Sequence, residues 1–82
     1  MTNIREMEAT LSDWEARYVL ESLSKEMERL KKINAESEDE DEVADAGNDF
    51  IELSGLYERL STEAISIFGN QILNFSREEI QP

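Results

Sequence analysis

The sequence predicts an all-α fold: an antiparallel two-helix hairpin with a short C-terminal arm, dimerising into a four-helix bundle. Three observations lead there. Two long segments carry apolar residues at helical spacing, and they are nearly equal in length. The stretch between them is short and almost purely acidic. Each segment also has more apolar positions than one partner helix can cover, which is the reason for expecting a second copy.

The first segment runs from about residue 4 to 34. Ile4, Met7, Leu11, Trp14 and Tyr18 follow a 3-4-3-4 spacing, and Leu20, Leu23, Met27 and Leu30 repeat it on a shifted stripe. Residues three and four apart share one helical face. Two capping boxes compete for the start. Asn3 with Glu6 opens the helix near Ile4, whereas Ser12 with Glu15 opens it near Asp13. The apolar spacing continues through Ser12, so one helix over 4–34 is expected. An acidic turn over 35–39 follows.

The second segment spans 40–68. Ala46, Phe50, Leu53, Tyr57, Leu60, Ala64 and Ile67 alternate steps of four and three, and Val43, Ile51, Leu56, Ile65 and Phe68 widen the stripe. Gly69 supplies a stop signal. A connection of a few residues makes the two helices antiparallel neighbours, with Leu23 facing Leu53, Leu11 facing Ala64 and Leu30 facing Ala46. The expected core and dimer stripe is Trp14, Tyr18, Leu23, Phe50, Leu53, Tyr57 and Leu60. Gly47 and Gly55 inside the second helix suggest close approach of another helix. Residues 70–82 lose the period and read as an extended arm. The whole of 1–82 is expected to form one helical domain.

Composition narrows the chemistry. The 82 residues contain no cysteine and no histidine, which removes disulfides, thiolate chemistry, the usual zinc ligand sets and histidine acid–base catalysis. Serines are present without a base to activate them. The expectation is a protein that is not an enzyme and uses no metal or cofactor. Neither a signal peptide nor a membrane-length apolar run is evident, so a cytoplasmic location is expected.

Charge is distributed unevenly. Residues 1–32 hold seven acids and six bases, a balance of −1; residues 33–82 hold thirteen acids and two bases, a balance of −11. Eight of the fourteen residues from Glu36 to Asp49 are carboxylates. Such a surface repels phosphate backbones and anionic membranes, so neither nucleic acid nor membrane is an expected partner. Glu38, Asp41, Glu42, Asp45, Asp49 and Glu52 form the candidate partner-binding face. Successive carboxylates one helical turn apart stand about 5–6 Å from each other, comparable to phosphates along a strand. The run lacks the alternating Asp-x-Asp-x-Asp-Gly order of a calcium loop, because Val43 occupies the third position from Asp41.

Three functions follow from these features. The first is a non-enzymatic acidic helical protein-interaction or regulatory protein acting as a homodimer. The second is an inhibitor that mimics nucleic acid and blocks a basic DNA- or RNA-binding protein. The third is a structural subunit of a larger assembly.

Overall fold

The computed structural model describes residues 5–75, and these are entirely helical or irregular, without strands. Helix α1 spans Asp13–Glu36, helix α2 spans Glu40–Phe68, and a 3₁₀ turn, η1, spans Asn70–Leu73. The two long helices lie side by side and antiparallel, and η1 folds back against both.

Helix α1 starts at Asp13, not near residue 4, and residues 5–12 are irregular. The Ser12 box wins. Ser12 Oγ accepts from the Glu15 amide at 3.4 Å, and the Glu15 carboxylate accepts from the Ser12 amide at 2.8 Å. The packing register explains why the apolar spacing upstream does not prolong the helix. Ala16 packs in one cluster with Ala64, so residue 12 comes level with the end of α2 at Phe68. Eight further residues would overhang α2 by about 12 Å, with nothing on which to bury Met7.

The connection is also shorter than 35–39. It comprises Ser37, Glu38 and Asp39, and hydrogen bonds hold it. Asp39 caps α2 by accepting from the Asp41 and Glu42 amides at 2.9 and 3.3 Å. Ser37 Oγ donates to the Glu42 carboxylate at 2.6 Å. Across the hairpin, Asn34 Nδ2 donates to the Val43 carbonyl at 2.9 Å. The acids of the first turn, Glu40, Asp41 and Glu42, oppose the positive end of the helix dipole. Helix α2 then runs unbroken through Ser61-Thr62-Glu63, because Ser61 Oγ is spent on the Glu58 carbonyl within the same helix at 3.1 Å.

The core sits toward the open end of the hairpin. Ala16, Leu20, Ala64 and Ile72 form its centre, with Leu20 and Ile72 each only 1% exposed. Two alanines facing each other leave room that Ile72 fills. Leu30 and Ala46 are buried nearer the connection. The expected stripe requires correction here. Trp14 and Tyr18 are 61% and 56% exposed. Each precedes a buried residue, Ala16 and Leu20, by two positions, which is about 200° of helical rotation. Trp14 and Tyr18 thus lie on the outer face of α1. Leu23, Phe50, Leu53, Tyr57 and Leu60 are half-buried.

The C-terminal arm begins as the η1 turn and not as an extended strand; residues 76–82 of the expected arm lie outside the described residues. Gly69 makes the reversal possible, with φ 97° and ψ 169°, a region open essentially to glycine alone. A Cβ there would also stand 2.6 Å from Gln71 Oε1. Gly47 approaches α1 closely, since a Cβ would meet Asn34 Nδ2 at 2.9 Å, but Gly55 has open space around it. These two glycines give predictions of opposite sign. Gly69→Ala should destabilise the fold by about 1–3 kcal/mol, whereas Gly55→Ala should stabilise it by about 0.5–1 kcal/mol. Urea denaturation followed by circular dichroism measures both.

Candidate functional site

Each face of this two-helix layer has its own character. On one face, η1 covers the seam: Leu20, Glu21 and Ser61 are buried. Glu21 is paired there with Lys25 at 3.4 Å. The opposite face has no such turn over it, and only Ala9 and Leu11 of the segment before α1 border it at the open end. Val19, one position before Leu20, is 38% exposed, and Ile67 is 64% exposed. This open face carries three shallow concavities in a row, together a discontinuous groove that changes character along its length.

At the open end the groove is apolar. Leu11, from the irregular segment before α1, lines a cavity of about 140 Å³ together with Ala16, Leu60, Ala64 and Ile67. Val19 and Leu23 extend this surface along α1, and Leu53, Leu56 and Leu60 extend it along α2, by their 3-4 spacing. At mid-length Leu30 and Leu53 share a second concavity with Glu26, Asp49 and Glu52. Toward the connection the rim is acidic. Asp39, Asp41, Glu42, Asp45 and Asp49 surround a third concavity floored by Leu30, Ile33 and Ala46.

The structure therefore brings Asp41, Glu42, Asp45, Asp49 and Glu52 onto one side of α2, and all five are exposed. Glu38 is exposed in the connection and does not line the groove. Composition gave no hint of Arg29, which reaches into the acidic rim from α1. Its guanidinium binds Glu26 with two bonds, Nη2 to Oε2 at 2.6 Å and Nε to Oε1 at 2.8 Å. This hydrogen bond and the Glu26 charge hold Arg29 more firmly protonated, with smaller contributions from Asp49 and Glu42. The i, i+3 spacing of Glu26 and Arg29 was the available signal.

No set of three or more acidic, cysteine or histidine side chains among the described residues is arranged to hold a metal ion. Nor is any helix among them long and apolar enough to cross a membrane. Searches against protein-family models, curated proteins and solved structures return no match to this chain.

Two carboxylates each make a contribution to stability that depends on acidity. The Ser12 amide and hydroxyl hold Glu15 below its ordinary value of 4.5, and the Arg29 hydrogen bond does the same for Glu26. A lowered folded-state value means that the unfolded chain binds more protons as pH falls. The stabilisation is therefore present above about pH 4.5 and is lost on acidification through the lowered values. Urea midpoints of the parent chain and of Glu26→Gln, measured from pH 6 to pH 3, should differ most at pH 6 and converge on acidification.

Proposed function

We propose that the chain is a non-enzymatic protein-interaction or regulatory protein that acts as a homodimer through its open helical face. The observation that carries this reading is the difference between the two faces. At the open end one side of the layer is covered by η1, while the other leaves Leu11, Val19 and Ile67 between 38% and 64% exposed. The molecule is only 17 Å through its thinnest direction, which is one layer of helices. Stable domains bury their apolar faces between two layers, and a chain of 82 residues with few fully buried large side chains gains most from a second copy. Static light scattering at micromolar concentration should give twice the chain mass of 9.5 kDa; a monomer mass would defeat the reading.

A second reading, mimicry of a nucleic-acid strand, is favoured by the exposed row of Asp41, Asp45 and Asp49 along one concavity. Replacing all three by asparagine preserves size and removes charge. On this reading the triple variant should keep its circular dichroism spectrum and lose capture by a basic DNA-binding protein. Unchanged capture would remove it.

A further inference from the structure

We infer that the two copies associate antiparallel, open half over open half, with their acidic hairpin ends pointing away from each other. This inference rests on the homodimer reading and specifies its surface. Two features of the open face determine the arrangement.

The first is the position of the apolar surface. Val19 and Leu60 stand nearly level with each other, given the pairing of Ala16 with Ala64. They lie near the middle of the apolar stretch that extends from Leu53 to Ile67 on α2. A two-fold axis crossing the groove at this level lays the stretch onto itself in reverse. Leu60 then meets its counterpart, and Leu53 of one copy meets Ile67 of the other. The interface is isologous, so one patch covers both copies.

The second feature is charge. The hairpin half, residues 26–54, holds eleven acids and three bases, a balance of −8. The open half, residues 5–25 and 55–75, holds seven acids and four bases, a balance of −3. A parallel dimer would stack the two −8 halves within about 10 Å, comparable to the Debye length at physiological salt. Full antiparallel overlap would still place each −8 half on a −3 half. The offset arrangement avoids both. It overlaps only the apolar halves and carries the two acidic rims outward, with their Asp45 residues about 45 Å apart at 1.5 Å per residue. The dimer thereby presents two separate acidic grooves, each rimmed by Asp41, Asp45 and Asp49.

The cysteine-free sequence permits a direct test. Single variants Val19→Cys, Leu60→Cys and Asp49→Cys are prepared in the full chain, with folding verified by circular dichroism. Each is treated with a thiol cross-linker matched to the 8–10 Å between packed helices. Val19→Cys and Leu60→Cys should cross-link to themselves, and Asp49→Cys should not. Mixed Leu53→Cys and Ile67→Cys chains should cross-link to each other. Self-cross-linking of Asp49→Cys as efficient as that of Leu60→Cys would overturn the antiparallel arrangement. A dimer mass with neither Val19→Cys nor Leu60→Cys cross-linked would show that another face is used, leaving the dimer itself intact. A monomer mass for the unmodified chain would overturn both.

Discussion

The seating of Ile72 between Ala16, Leu20 and Ala64 is the contact on which the rest of the structure depends. Two helices packed alone share only a narrow seam, which gives a small chain little apolar burial. The η1 turn adds a third wall at the open end, and the alanines at 16 and 64 make the space for it. This has a directional effect. By sealing one side of the seam, η1 determines which side remains available, and so gives a nearly symmetric two-helix layer distinct inner and outer faces. Gly69 is the residue that turns the chain toward the sealed side.

The opposite end is held by a different kind of interaction. Near the connection there is little large apolar burial beyond Leu30 and Ala46, and polar contacts fix the geometry. Asp39 satisfies the first amides of α2, Ser37 ties to Glu42, and Asn34 bridges from α1 to the Val43 carbonyl. Several of the carboxylates that crowd this region therefore have local structural work. The rest project from one side of α2, and Arg29 offsets part of their field. Apolar packing at one end and capping at the other produce a groove that is greasy where the core is and charged where it is not.

Much of this was legible in the sequence, for identifiable reasons. Helix α2 carries an unbroken 4-3 spacing, and both its ends have strong chemical signals in Asp39 and Gly69. Helix α1 was harder to read because its two signals disagree. The Ser12 box marked the true start, but apolar residues at 4, 7, 11, 14 and 18 continued the spacing past it. Only tertiary register decides between them, since a helix start depends on whether there is a partner helix alongside. The same register moved the buried stripe from Trp14 and Tyr18 to Ala16 and Leu20, and an alanine is easily overlooked when large side chains compete for attention. The role of Ile72 was legible only as a general tendency to dock, because a 3₁₀ turn of four residues is too short to show a period. In the acidic site, the shared face of Asp41, Asp45 and Asp49 followed from spacing alone. The intrusion of Arg29 required knowing which side of α1 faces the groove.

The outward position of Trp14 has a consequence for optical work on this molecule. It is the chain's single tryptophan, it stands mostly in water, and its indole lies 6.3 Å from the Tyr18 ring at a 58° tilt. Its emission is set largely by solvent, with the Tyr18 ring beside it on the same helical face. Intrinsic fluorescence will thus report on the outer side of the first turns of α1. Excitation of Tyr18 will feed the indole at this separation.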